Sequence, residues 1–298
     1  MAAVTATTLE ALAERVVQGQ PLQDAEAALI LESPDLVAIG MISDQCRRQL
    51  HGSATTFVRV FEVHAEAPPS ALPLNLSAGE FRIVGPPSSV DAACRAVEAV
   101  RAVAGQVPVF GFALHTIEAL GAADAFPRLK AAGLDGIAEV AIDMGPSAAA
   151  IAAARDAGLL VLRATVQDPP PDLLALLVHA RELLRSAGGF RAFAPLPRQL
   201  SIANPTTGYD DVKAVALARL VIREVPSIQV DWPLYGPKLA QVGLIVGADD
   251  VDGILAVDGG ALGARRSPVE EIRGNIRAAG LEPFERNGRF ERLGGAGA

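Results

Sequence analysis

The chain has 298 residues, of which 50% are apolar and 20% charged, so the sequence can form a large hydrophobic core. Its net charge of −8 argues against a protein that binds nucleic acid through bulk positive charge. Two cysteines, Cys46 and Cys94, are too few for a disulfide framework, a four-cysteine zinc site or a three-thiolate iron–sulfur site. We see neither a signal peptide nor a membrane-spanning apolar run, and we therefore expect a cytoplasmic protein without a membrane partner.

The first 52 residues predict a helical extension. Thr8 is a suitable N-cap, and Leu9, Leu12 and Val16 follow at helical spacing. A second helix is expected over 24–31 and a third from Pro34 to about residue 51.

From residue 53, short apolar runs alternate with helical stretches. The first strand is expected over Thr56–His64, and helices are expected over 91–104, 116–132, 147–157, 171–187, 210–224, 235–247 and 267–279. The later strands are predicted over Glu80–Val84, Val107–Ala113, Gly136–Ile142, Leu159–Thr165, Phe190–Pro195, Ile228–Trp232 and Gly253–Val257.

Most of these strands are near-continuously apolar, which is typical of a parallel sheet covered on both faces. Six to eight such units predict an α/β fold, a parallel (β/α) barrel or partial barrel of TIM type, with helical extensions at both ends. We expect one structural unit, with a barrel core over 53–258 and a C-terminal helical extension and tail over 259–298.

Several segments resemble a known enzyme family. They are Leu129–Asp135, Gly188–Leu196, Ala203–Arg219, Ile228–Gly253, Ser267–Gly280 and Pro283–Arg286. Together they resemble the radical S-adenosylmethionine enzymes of the futalosine route to menaquinone, and aminofutalosine synthase is the most similar of these. The resemblance implies a radical-enzyme barrel and a role in or near menaquinone biosynthesis.

The chain departs from that family where the radical chemistry begins. The family carries a C-x3-C-x2-C loop for a [4Fe–4S] cluster after its first strand, whereas here His64 is followed by Ala-Glu-Ala-Pro-Pro-Ser. Cys46 precedes the strand, and Cys94 falls in a predicted helix. A later glycine-and-glutamate segment is replaced by Thr165–Pro171, while Glu139 keeps an acidic position. We therefore expect no [4Fe–4S] cluster and no other cofactor, and whether S-adenosylmethionine binds stays open.

Glu62, His64 and Glu66 alternate at the carboxyl end of the first strand, which is the catalytic end of such a barrel. One imidazole and two carboxylates could ligate a divalent metal if other strands completed the shell. The simpler interpretation is a polar barrel mouth in which His64 bonds a carboxylate. Because one strand cannot supply a full ligand set, we expect no metal.

Further candidate ligand-binding residues follow or end predicted strands. They are His115, Glu139, Arg163, Asn204 and Trp232. All but Glu139 have a structural alternative: Thr116 and Glu118 would cap a helix beside His115, and the loop at Asn204 would cap the next helix through its acidic start. Trp232 could stack on a ligand or simply cover the barrel. Arg163 would anchor a carboxylate or phosphate if it faced inward and would be a surface residue if it faced outward.

Asp249, Asp250 and Asp252 do not have the spacing of a calcium-binding loop. We interpret them as a structural turn.

Three functions remain open at this point. The first is a cluster-less homologue that acts as a non-catalytic partner of an active radical enzyme, or self-associates, or binds a small molecule. The second is an enzyme with changed, non-radical chemistry at the barrel mouth, with or without a metal. The third, an active radical enzyme with unrecognised cluster ligands, is disfavoured because two separated cysteines cannot supply three thiolates. A scaffold without any ligand also stays open.

Overall fold

A computed structural model describes residues 9–20, 22–68, 71–199, 205–257 and 268–294. The N-terminal part forms three helices, α1 (Leu9–Val17), α2 (Asp24–Glu32) and α3 (Leu36–His51), as predicted. The side chain of Asp35 caps α3 by accepting a hydrogen bond from the backbone N–H of Ala38.

The described strands form one parallel sheet. They are β1 (Ala54–His64), β2 (Glu80–Val84), β3 (Val109–Ala113), β4 (Gly136–Ala141), β5 (Leu160–Val161), β6 (Arg163–Val166), β7 (Ala192–Pro197), β8 (Ser227–Asp231), β9 (Asp250–Leu255) and β10 (Glu282–Arg286). Because β1 pairs with both β2 and β9, the sheet closes on itself. The predicted parallel barrel is confirmed: its eight strands are β1–β4 and β6–β9, with the short β5 paired to β4 just before β6.

Helices surround the barrel. They are α4 (Val90–Ala104), α5 (Leu114–Glu118), α6 (Ala125–Ala131), α7 (Ala148–Asp156), α8 (Leu173–Ala187), α9 (Gly208–Val221), α10 (Trp232–Ile245) and α11 (Pro268–Ala278). The single helix predicted over 116–132 is wrong. It is divided into α5 and α6, and Gly121 between them has a φ of 65°, a left-handed conformation that a helix does not continue through.

Strand β10 was not predicted, because its sequence Glu-Pro-Phe-Glu-Arg is polar and contains a proline. It pairs with the first half of β1, over Ala54–Val58, whereas β2 pairs with the second half, over Val60–His64. The backbone of β10 therefore approaches the segment just before β2. A Cβ atom on Gly79 would lie 2.7 Å from the carbonyl oxygen of Arg286, so this close approach requires glycine.

The helical extension shares the core of the barrel. Buried apolar residues form one cluster that includes Leu12 of α1 and Leu281 before β10. The hydroxyl of Ser43 in α3 lies within hydrogen-bond distance of two carbonyl oxygens, Ala216 at 3.2 Å and Val246 at 2.8 Å. No helix within the described residues has both the length and the apolar character needed to cross a bilayer.

We expect Gly79→Ala to destabilise the protein by about 1–3 kcal/mol, since the new methyl group would push β10 away from β2. Gly274→Ala is the matched control. Gly274 lies in α11 with open space at its Cβ position, so alanine should stabilise the helix by up to about 1 kcal/mol. Chemical denaturation measures both changes, and equal effects of the two substitutions would contradict the close contact at Gly79.

Candidate functional site

The barrel interior holds charged side chains where such barrels usually hold branched apolar ones. We call Glu80, Arg82, Arg163 and Asp252 the inner layer; each is at most 4% exposed. Arg82 donates two hydrogen bonds of 2.9 Å to Asp252 and one of 2.6 Å to Glu80. Arg163 lies 3.3 Å from an oxygen of each of the same two carboxylates. The inner layer therefore pairs two guanidiniums with two carboxylates.

Closer to the carboxyl ends of the strands lies a second set, which we call the outer layer: Glu139, Gln167, Arg198 and Asp231. Arg198, just after β7, lies 2.7 Å from Glu139 and 3.1 Å from Asp231. The amide of Gln167 donates a 3.0 Å hydrogen bond to Glu139. Arg198 also lies 3.7 Å from Asp252, so the outer layer rests directly on the inner layer.

A further ion pair joins the carboxyl end of β10 to the amino end of β9. Arg286 of β10 binds Asp250 of β9 through two hydrogen bonds of 2.6 Å, and both side chains are buried. Gln229 donates a 2.6 Å hydrogen bond to Asp250, and Thr56 also donates to it. The interpretation of Asp250 and Asp252 as turn residues is therefore wrong. They lie in β9, which begins at Asp250 rather than at Gly253, and both carboxylates pair with arginines.

The pKa values of Asp252 and Asp231 are shifted in opposite directions. Burial alone would raise the pKa of Asp252, but the guanidiniums of Arg163 and Arg82 outweigh it and hold that pKa well below its usual range. For Asp231, burial prevails over the attraction of Arg198 and raises the pKa. The surroundings of Asp252 thus favour its charged form, whereas those of Asp231 disfavour its charged form.

A cavity of about 270 Å³ opens at the barrel mouth, beside the outer layer. Of the candidate residues predicted from the sequence, Glu62, His115, Glu139 and Arg163 line it. Arg163 faces inward, which settles its orientation. Phe112 lines the same cavity with a φ of 62°, a strained conformation for a bulky residue that persists where the surroundings impose it.

Glu62, His64 and Glu66, at the end of β1 and just after it, do not form a metal-binding group. Strand β1 ends at His64, so Glu66 lies in the following turn and does not continue the alternation. Glu62 lines the barrel-mouth cavity, while Glu66 lines another cavity beside the start of α4. Within the described ranges, no group of three or more His, Cys, Asp or Glu side chains could hold a metal ion.

The residues beside His115 were predicted to cap a helix. The predicted capping role of Thr116 is wrong, because α5 begins at Leu114 and the Thr116 hydroxyl donates a 2.7 Å hydrogen bond to the carbonyl oxygen of Ala113. Glu118 is accordingly the last residue of α5 and not part of a first turn, and burial raises its pKa. The Nδ1 atom of His115 is buried and has no partner among the described residues.

The loop before α9 is only partly described, and Asn204 lies outside the described residues. Thr207 caps α9 in a reciprocal capping box with Asp210, as the structural alternative predicted. Trp232 is half-buried against the hydrophobic core at the start of α10. The contribution of these positions to ligand binding stays a prediction.

Sequence reasoning missed most of the polar interior. The residues concerned are Glu80, Arg82, Gln167, Arg198, Asp231 and Arg286. A signal was available in Arg82, since a single arginine within the apolar run Phe-Arg-Ile-Val is hard to place on a strand buried on both faces. Its partner Asp252 lies 170 residues away, however, and no local pattern shows that pairing.

The residues present do not fit a three-thiolate [4Fe–4S] cluster. Cys46 is buried on α3 and Cys94 lies on α4, and burial raises the pKa of both thiols, which disfavours the thiolate that ligates iron. The turn that follows β1 offers Glu66 and prolines and no thiol. We therefore assign no step to such a cluster in this chain.

We expect Asp252→Asn to destabilise the protein by about 3–5 kcal/mol at neutral pH, because it leaves two buried guanidiniums short of a counter-charge. Asp231→Asn is the matched control. Asparagine can still cap α10 through the N–H of Leu234, and the charge that it removes is one that burial opposes, so we expect a change below about 1 kcal/mol.

The pH dependence of this difference follows from the pKa of Asp252. A carboxyl whose pKa lies lower in the folded protein than its ordinary value of 3.8 stabilises the fold above that value. The stabilisation is lost as the pH falls through the lower, folded-state pKa. Denaturation of the wild type and of Asp252→Asn should therefore differ most near neutral pH and converge in acid; a constant difference would contradict the assignment.

Comparisons with known proteins agree with this fold. Residues 189–294 match the family described as the CofH/MqnC C-terminal region. The structure of methylornithine synthase (PylB) superposes with a TM-score of 0.65 and 13% identity, over 91% of this chain and 97% of that one. At that identity the likeness concerns the fold alone.

Two curated relatives match part of the chain. An aminodeoxyfutalosine synthase of Streptomyces coelicolor is 32% identical over 138 residues, which are 39% of this chain and 36% of that protein. A 5-amino-6-(D-ribitylamino)uracil–L-tyrosine 4-hydroxyphenyl transferase of Methanothermobacter thermautotrophicus is 34% identical over 129 residues, 38% of this chain and 35% of that protein. The matches thus span little more than a third of either relative. Through its C-terminal part, this chain resembles the radical S-adenosylmethionine enzymes related to the futalosine pathway, and that resemblance is confirmed.

Proposed function

We propose that this chain is a cluster-less homologue of aminofutalosine synthase that binds a small molecule at its barrel mouth. In this proposal it acts in the cytoplasm, in or near menaquinone biosynthesis, as a non-catalytic partner or binding subunit. The proposal rests on the combination of two features at the barrel mouth. A polar cavity remains there, while the turn that follows β1 has no thiol with which to hold a cluster.

The outer layer suits recognition of a polar ligand. Glu139 and Arg198 pair with each other, yet their side chains remain 19% and 17% exposed, so they can also contact a ligand at the mouth. Gln167 adds an amide with both a donor and an acceptor. Ion pairing within the two layers holds these groups in place before a ligand arrives, which lowers the entropy cost of binding. The cavity volume of about 270 Å³ suits one ring of a ligand with the remainder outside.

The proposed partner is an active radical enzyme of the same fold or a second copy of this chain. Exposed apolar side chains support a protein partner. Val37 and Met41 of α3 are 75% and 69% exposed, and α10, which packs beside α3, exposes Ile245 at 47%. Large apolar side chains exposed on neighbouring helices are typical of an interaction site.

The first test is metal analysis. Protein purified without oxygen should contain no stoichiometric iron or sulfide and should show no cluster absorption band in its visible spectrum. Iron and sulfide in stoichiometric amounts would overturn the proposal. About one equivalent of zinc or manganese, lost on His64→Ala, would favour the alternative of non-radical chemistry with a metal at Glu62, His64 and Glu66.

The second test is ligand binding by calorimetry, with aminodeoxyfutalosine as the probe. We expect binding to the wild type and a loss of about tenfold or more with Glu139→Gln, since a hydrogen bond to a charged group contributes about 1.5–3 kcal/mol. Glu98→Gln makes the same change on an exposed part of α4 and should leave the affinity unchanged. Absence of binding to the wild type, or equal losses with both variants, would contradict a ligand site at the mouth.

A further inference from the structure

A second cavity, of about 840 Å³, lies outside the barrel and shares no lining residue with the barrel-mouth cavity. It is bounded by the start of α8, the start of α9 and the end of β7. Its walls are largely rings and aliphatic chains, among them Pro169–Pro171, Pro195 and Leu173. The volume falls in the range of about 300–1,000 Å³ that is usual for sites of small organic ligands.

Most charged groups on this cavity already have local partners. Asp172 caps α8 by accepting a 3.0 Å hydrogen bond from the N–H of Ala175. Asp210 accepts hydrogen bonds from the N–H and the hydroxyl of Thr207 in the capping box of α9. The ammonium group of Lys213 donates to the carbonyl oxygens of Leu31 and Ser33 at the end of α2. These three groups are therefore engaged in holding the ends of helices.

Asp211 is less fully paired. It lines the cavity in the first turn of α9 and is only 7% exposed; the Thr206 side chain hydrogen-bonds its carboxylate, while its Oδ1 atom accepts no hydrogen bond from any described residue. Burial raises the pKa of this carboxyl, because water that would solvate the charge is excluded. A buried carboxylate with one oxygen left without a donor is costly, so a cation in the cavity would stabilise its charge further.

We propose that this cavity binds a small organic cation, an ammonium group attached to an apolar body, with the ammonium on Asp211 and the body against the proline rings. An ammonium carries donors for the carboxylate of Asp211, and the apolar walls accept the rest of the ligand without losing hydrogen bonds. This site is separate from the barrel mouth, so its fate does not depend on the function proposed there.

The test compares two probes of nearly equal shape, benzylamine and benzyl alcohol, by calorimetry at neutral pH on the full chain. The charged probe should bind, and the neutral probe should bind about 30-fold more weakly or not at all, since a desolvated charge pair contributes about 2 kcal/mol or more. Equal affinities would mean that only the apolar walls bind, and failure of benzylamine to bind at millimolar concentration would also overturn the proposal.

Two matched variants locate the cation. Asp211→Asn keeps the shape of the side chain and removes its charge, and it should weaken benzylamine binding about 30-fold while leaving benzyl alcohol unaffected. Asp172→Asn removes one charge from the same cavity but keeps the cap of α8, and should change the affinity by less than about threefold. Unchanged benzylamine binding in Asp211→Asn, with its melting temperature like that of the wild type, would overturn the assignment.

Discussion

The pairing of buried charge inside the barrel is the constraint on which the rest of this structure depends. Asp252 is shared by Arg82 and Arg163, and it links strands β9, β2 and β6 through the centre of the barrel. A charge in that position must be paired, because desolvation otherwise costs more than the fold can supply. The outer layer follows from the inner layer, since Arg198 contacts Asp252 as well as Glu139. The shape and polarity of the mouth thus rest on a carboxylate that does not reach the surface.

The barrel could be predicted from the sequence because each buried strand appears as a short apolar run, and runs alternating with helices allow few topologies. Strand β10 could not, since its pairing with β1 depends on a close approach at Gly79 and on the ion pair of Arg286 with Asp250 rather than on apolar residues. The charged interior could not be predicted from the sequence for a related reason. Arg82 and Asp252 lie on strands that are far apart in the sequence, and only the closed barrel brings them together.

The region that matches a known family contains only part of the charged barrel interior. Arg198, Asp231 and Asp252 lie within the matched region 189–294, whereas Arg82 and Glu139 lie before it. Ion pairs join the two parts at Arg82–Asp252 and at Arg198–Glu139. A change of charge in the first half of the barrel would therefore leave an unpaired charge in the second half. The two parts of the barrel are therefore coupled through these buried ion pairs.

The charged side chains of the two cavities are paired in different ways. This difference determines which ligands each cavity can select. At the barrel mouth, guanidiniums and carboxylates bind one another, so a ligand must compete with existing ion pairs or add to them. Selection there depends on geometry more than on net charge. Beside α9, caps and carbonyl groups occupy the other charged side chains discussed, whereas Asp211 keeps one carboxylate oxygen without a donor among the described residues. Selection there depends on the sign of one charge, because a neutral ligand leaves the buried carboxylate as costly as it was before.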